Sequence, residues 1–147
     1  MKKFVTLLLC MLPISLFAQV NDGIRQAMDN YDYETVVMLI ESDCQDSLLL
    51  ITKAQALKAM NRYPEAIGVL NSLILKDSTN TKVLIDLAEC YKLTGNSRRA
   101  ANCYQKAMNL QPENKFFRLQ FIRSLLASSH DKPYVPLHNL RRLIKSV

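Results

Sequence analysis

The sequence predicts an all-α protein, built as an α-solenoid of antiparallel helical hairpins, and three observations lead to this class. Glycine is scarce, with 3 residues in 147, and no run alternates between apolar and polar side chains as a half-buried strand does. Apolar residues instead recur three and four positions apart, which is typical of amphipathic helices. The sequence also resembles itself when it is shifted by 34 positions, and this repeat period indicates stacked two-helix units.

The first segment, residues 1–18, predicts a secretory signal peptide rather than part of the fold. Two lysines precede an apolar run of about 14 residues that ends before Ala18, and roughly 18 apolar residues would be needed to cross a bilayer. We expect cleavage after Ala18, which leaves a helical repeat domain over residues 19–147. This mature protein would be exported, periplasmic or secreted from a bacterium, and would have no transmembrane segment.

Cys10 leaves a second route of export open. A lipoprotein would be cleaved before this cysteine and anchored through a lipid on its thiol. Leu9 precedes Cys10 where a small residue would be expected, and the apolar run continues past it. Simple export is therefore the preferred interpretation.

The clearest hairpin pattern lies in residues 81–114. Gly95 and Asn96 suit the end of one helix and a turn into the next. The apolar positions before the turn are Leu84, Leu87, Ala88 and Tyr91, and those after it are Ala100, Tyr104, Ala107 and Met108. Residues 47–80 repeat this pattern one period earlier, with small residues on small and large on large: Ala54 on Ala88, Ala66 on Ala100, Leu57 on Tyr91 and Leu70 on Tyr104.

These positions resemble the pattern of the tetratricopeptide repeat family, which asks for large, Leu, small, Tyr, Gly, Ala, aromatic, Ala and Pro at fixed offsets. Residues 81–114 match all nine, the last with Pro112, and residues 47–80 match in weaker form, with Lys53 where Leu is usual. The resemblance implies a right-handed superhelix of about three to four hairpins. It also implies a protein-binding role, with a concave groove lined by the first helix of each hairpin.

Two looser hairpins flank this pair. Residues 24–46 read as a degenerate first hairpin, in which Tyr33 precedes Tyr63 by four positions less than the full period. Residues 115–147 read as a degenerate C-terminal hairpin, because Leu119 lies one full period after Ile85. Its second helix is expected over residues 134–146.

The net charge of +6 is concentrated near the C-terminus. Residues 19–114 hold 10 Lys/Arg against 12 Asp/Glu, whereas residues 115–147 hold 7 against 1. An exported protein is not expected to bind nucleic acid as its normal partner. The basic end suits an acidic protein, an anionic glycan or a membrane surface, or is simply a solvated helix face.

The three cysteines of the mature chain, Cys44, Cys90 and Cys103, are an odd number, so at least one thiol cannot pair within the monomer. Two interpretations stay open for Cys90 and Cys103. They are small hydrophobic fillers of the core, or they form a disulfide between two antiparallel helices. No zinc site is expected, because neither CxxC nor HxxxH spacing occurs.

Catalytic chemistry has no support in the sequence. His130 and Asp131 are adjacent in one turn, which does not by itself align a base with a nucleophile. The chain contains no GxSxG, P-loop, dinucleotide-binding or HExxH motif. We therefore predict that the protein is not an enzyme and uses no metal or other cofactor.

The predicted function is that of a scaffold or adaptor that binds a protein or peptide in the groove. An apolar row would be flanked by polar residues, although the row could also be partly covered by neighbouring helices. The candidate binding residues are Ile51, Gln55, Lys58, Ile85, Glu89, Lys92, Leu119 and Arg123. The alternative is a structural subunit that forms homo-oligomers through its apolar and basic C-terminal helix.

Overall fold

The computed structural model describes residues 19–40 and 44–129, which form seven helices and no strand within these ranges. The predicted all-α class and the stack of helical hairpins are confirmed. The predicted signal peptide, Cys10, His130 and the expected helix over residues 134–146 lie outside the described residues. The helices are α1 (residues 19–29), α2 (Tyr33–Leu39), α3 (Ser47–Ala59), α4 (Tyr63–Lys76), α5 (Thr81–Leu93), α6 (Ser97–Leu110) and α7 (Lys115–Ser129).

The same tight turn joins the two helices of each of the three complete hairpins. Its central residue adopts a left-handed backbone conformation, with φ of 59° at Tyr31, 60° at Asn61 and 77° at Gly95. The next backbone N–H donates to the carbonyl five residues back, which is the Schellman ending of a helix. These bonds run from Asp32 to Ala27 at 2.8 Å, from Arg62 to Leu57 at 2.9 Å and from Asn96 to Tyr91 at 2.7 Å.

Side-chain caps determine where several helices begin. The carboxylate of Asp46 accepts hydrogen bonds from the first turn of α3, and the Asn80 side chain accepts one from Val83 N–H in α5. Each cap satisfies a backbone donor that has no partner within the helix. The first helices α3, α5 and α7 begin at Ser47, Thr81 and Lys115, so each starts one full repeat period after the one before.

Matched small residues let the helices approach closely, and matched large residues fill the space beside them. The four alanines of the repeat pattern are at most 1% exposed, and the large residues paired with them are at most 8% exposed. The alanines are Ala54, Ala66, Ala88 and Ala100, and the large residues are Leu57, Leu70, Tyr91 and Tyr104. Each helix from α2 to α6 packs against the next one in sequence.

The first hairpin follows the same packing with the shorter offset that separates Tyr33 from Tyr63. By this offset Val36 corresponds to Ala66 and Ile40 corresponds to Leu70, and both Val36 and Ile40 are buried in a cluster with Ile24. Residues 19–23 already belong to helix α1, before the predicted start at residue 24, and Val20 also packs on this cluster.

Lys53, the residue that departs from the repeat pattern, links α3 to the end of α2. Its Nζ donates to the carbonyl oxygen of Ile40 at 2.7 Å. Ile40 is the C-cap of α2, so the lysine satisfies a helix-end carbonyl that has no partner in its own helix. A leucine at position 53 could not supply this bond.

None of the helices in the described ranges is both long enough and apolar enough to cross a membrane.

Candidate protein-interaction face

The eight predicted binding residues lie on the three first helices α3, α5 and α7, and we call this surface the first-helix face. Two hydrogen-bonded contacts show that these helices are neighbours there, since Lys58 of α3 reaches Asp86 of α5, and Lys92 of α5 reaches Gln120 of α7. Every one of the eight side chains is half-buried or exposed. The set is Ile51, Gln55, Lys58, Ile85, Glu89, Lys92, Leu119 and Arg123.

Lys58 joins α3 to α5 through two carboxylates. Its Nζ donates to Asp86 Oδ1, and to Glu89 Oε2 at 3.0 Å. The side chains of Lys58 and Asp86 are 20% and 17% exposed, so this pair is shielded better than a typical surface ion pair. Burial opposes the charge on Lys58, but the hydrogen bonds to Asp86 and Glu89 outweigh it and raise the pKa of the amine above its ordinary value.

Lys92 makes the corresponding contact one repeat later, but with a neutral partner. Its Nζ donates to Gln120 Oε1 at 3.3 Å. The lysine and its partner are 28 residues apart here, as in the pair of Lys58 and Asp86. Sequence reasoning missed Asp86 and Gln120 because it followed single helix faces, although this repeated spacing from each lysine was a usable signal.

The apolar row of this face is partly covered by its neighbours, as one of the two interpretations expected. Ile51 is half-buried and packs against the main core, and Ile85 is half-buried against the cluster that contains Phe117. Leu119 is 43% exposed, and Phe116 near it in α7 is 48% exposed. The open apolar surface therefore increases from α5 to α7.

Cys90 occupies a position that is small and fully buried in every repeat. Ala56 lies one repeat period before it and Ser124 lies one period after it, and all three are at most 2% exposed. Desolvation raises the pKa of the Cys90 thiol, and the nearest charges that act on it are those of Lys58, Asp86 and Glu89. The thiol is therefore held in its neutral form between two hairpins.

Cys103 is also buried, and both thiols are free in the structure. Burial raises the pKa of Cys103 to about 11, so this thiol is also neutral near pH 7. A reactive cysteine needs the opposite environment, one that lowers the pKa and leaves the sulfur accessible. The arrangement of these two cysteines favours the filler interpretation over redox or nucleophilic chemistry.

A shallow pocket of about 410 Å³ lies away from this face, between the α5–α6 turn and the end of α7, and none of the eight face residues lines it. Within residues 19–40 and 44–129, no group of three or more His, Cys, Asp or Glu side chains is placed to hold a metal ion.

The fold and this face define a class, an α-solenoid whose hairpins recur with one constant period from α3 onward and present their first helices α3, α5 and α7 along one side. The family model described as Tetratricopeptide repeat matches residues 57–120, from the last turn of α3 into α7. Residues 57–120 are therefore similar to tetratricopeptide repeats, and the resemblance seen in the sequence is confirmed over this part of the chain. Repeats of this family generally mediate protein–protein interaction and are typically not catalytic.

Proposed function

We propose that this protein is an exported adaptor of the cell envelope, which binds a peptide or a helix of a partner protein on the first-helix face. The predicted signal segment over residues 1–18 supports the export, and the family supports a protein partner.

One observation carries the binding proposal. Ile51, Ile85 and Leu119 occupy the same repeat position on three neighbouring helices, and they form a row that becomes more exposed toward α7. The polar residues Gln55, Glu89 and Arg123 repeat in the same way, one helical turn further along each helix. An apolar row with polar residues beside it fits an extended or helical segment whose side chains alternate in the same manner.

Photo-crosslinking in the native cell envelope tests this proposal. A photoreactive amino acid at position 85 or 119 is expected to capture a partner protein, whereas the same residue at the exposed Gln105 of the second helix α6 is expected to capture none. Ile85→Glu should abolish the capture at position 119, because it places a charge in the apolar row. Equal capture from positions 119 and 105 would contradict the proposal.

The same experiment tests the alternative function as a self-associating subunit. A crosslinked product with twice the mass of the chain, together with a dimer in light scattering, would favour homo-oligomers and contradict the adaptor. A partner of different mass, captured by a monomer, supports the adaptor.

Mass spectrometry of the mature protein tests the export. The expected mature chain begins at Gln19. A chain that begins at a lipid-modified Cys10 would show a membrane-anchored adaptor instead, and an intact Met1 in envelope-free fractions would contradict export altogether.

A further inference from the structure

The two lysines of the first-helix face occupy matched positions but have different neighbours. Lys58 is neutralised by the carboxylates of Asp86 and Glu89. One repeat later, Gln120 stands at the position that matches Asp86, and Arg123 stands at the position that matches Glu89. Two acidic positions have thus become one neutral and one basic position.

The same lysine position reaches across to the next first helix in both repeats, but the partner that accepts its hydrogen bond differs in charge. Lys92 reaches Gln120 at 3.3 Å across the same kind of first-helix pair that Lys58 crosses to reach Asp86. Arg123 corresponds by the repeat period to Glu89, whose carboxylate lies 3.0 Å from Lys58 Nζ, so it is expected on the same side of α7 as the Lys92 contact. Among the described residues, no ion pair includes either Lys92 or Arg123.

Apolar side chains border these two cations. Leu119 lies one turn before Arg123, and Ile85 lies two turns before Lys92, while Phe116 extends the apolar border at 48% exposed. A polyanion such as an anionic glycan would gain nothing from this border. A peptide that carries a carboxylate next to apolar side chains matches both parts of the surface.

We propose that the α5–α7 end of the first-helix face binds an acidic amphipathic segment of the partner protein, with an Asp or Glu side chain between Lys92 and Arg123 and apolar side chains on Leu119 and Phe116. This inference rests on the proposed function and adds the chemistry of the partner. The bound carboxylate takes the place that Glu89 and Asp86 have in the preceding repeat. It completes a cluster that residues 19–40 and 44–129 leave with excess positive charge.

Three synthetic helical peptides of equal length test the inference, all with the same leucine stripe and with both ends capped. Their polar positions carry glutamate, glutamine or lysine. Fluorescence anisotropy with the full mature protein is expected to show that the glutamate peptide binds at least tenfold more tightly than the glutamine peptide, since one charge-assisted contact of about 1.4 kcal/mol gives this ratio. Its affinity should also fall as salt increases.

The double variant Gln120→Asp/Arg123→Glu provides the sharpest comparison, because it rebuilds around Lys92 the cluster that surrounds Lys58. We expect it to unfold at the same temperature as the wild type or higher, and to lose the preference for the glutamate peptide. Lys106→Glu on α6, an exposed position, lowers the net charge by two units, against three in the double variant, and should leave the preference intact.

Equal binding of all three peptides would overturn this inference. If Ile85→Glu abolished that equal binding, the proposed function of the groove would nevertheless be supported. Retention of the glutamate preference in the double variant would also overturn it. If none of the three peptides binds, the inference is contradicted, while the crosslinking experiment tests the adaptor function separately.

Discussion

Ala88 offers the strongest test of the packing between hairpins. Its side chain is 0% exposed at the centre of α5, in the core cluster that also contains Ala54, Leu57 and Leu70. Leucine adds three carbon atoms. If the core had an empty space at this position, burial of these three carbon atoms would stabilise the fold by about 2 kcal/mol. The sign of the effect therefore reports whether the structure has room at this position.

The structure has none, because the position lies between helices that are held close by matched alanines. We expect Ala88→Leu to destabilise the protein by about 1–3 kcal/mol, through displaced side chains and a shift between α3 and α5. For a domain of this size, such a loss lowers the melting temperature by about 4–12 °C. Thermal unfolding followed by circular dichroism measures the change.

Ala59→Leu is the matched control, since it makes the same substitution at an exposed position in the last turn of α3. It should change stability by no more than about 0.5 kcal/mol. A melting temperature of Ala88→Leu that equals or exceeds that of the wild type would refute the close packing of hairpins, and a large loss in Ala59→Leu would show that leucine is poorly tolerated for another reason.

Three further predictions concern single positions. Gly68 is a helical glycine, and outside its own helix backbone no described atom lies within 4 Å of an added Cβ, so Gly68→Ala should stabilise the protein by about 0.5–1 kcal/mol in urea denaturation, and a loss would contradict the open space. Lys58→Met should cost about 1–3 kcal/mol, because it leaves a shielded carboxylate unpaired, and Asp86→Asn in the same chain should recover part of it. Because the pKa of Lys58 is raised, the stability that its ion pairs contribute is fully present below about pH 10 and is lost as the pH rises through the folded-state pKa. If the wild type and Lys58→Met were equally stable at neutral pH, the result would argue against this pair. The Ser124 hydroxyl is buried and has no hydrogen-bond partner among the described residues, so Ser124→Ala should leave stability unchanged or raise it by about 1 kcal/mol, and a clear loss would reveal a partner for the hydroxyl.

The sequence was sufficient for the helices that follow the repeat pattern. In these helices small residues recur at small positions and large residues at large positions one period later, which indicates one common packing. Asn61 and Gly95 mark the turns. The first hairpin was less predictable. Its turn uses Tyr31 in a left-handed conformation, which a bulky residue rarely adopts, and its first helix includes Val20, close to the expected cleavage site.

The interaction face was predictable as a set of positions, but not as a set of contacts. Periodicity assigns residues to one side of a helix, and it placed Lys58 and Lys92 on the expected side. It does not show that a lysine side chain extends across to the next first helix, where Asp86 or Gln120 accepts its hydrogen bond. Contacts between helices depend on the distance between their axes, and that distance follows from packing in three dimensions.

Matched positions in successive repeats separate residues that pack from residues that bind. Ala56, Cys90 and Ser124 differ in chemistry but are all small, and each is enclosed between hairpins, so their common property is volume. Glu89 and Arg123, by contrast, are both long and accessible, but their charges are opposite. Packing imposes no such reversal on an accessible side chain, and repulsion between Arg123 and Lys92 would disfavour it in the free protein. Under the proposed function, a ligand that supplies negative charge would remove this cost, and this makes the end of the face near α7 the place to search for the partner.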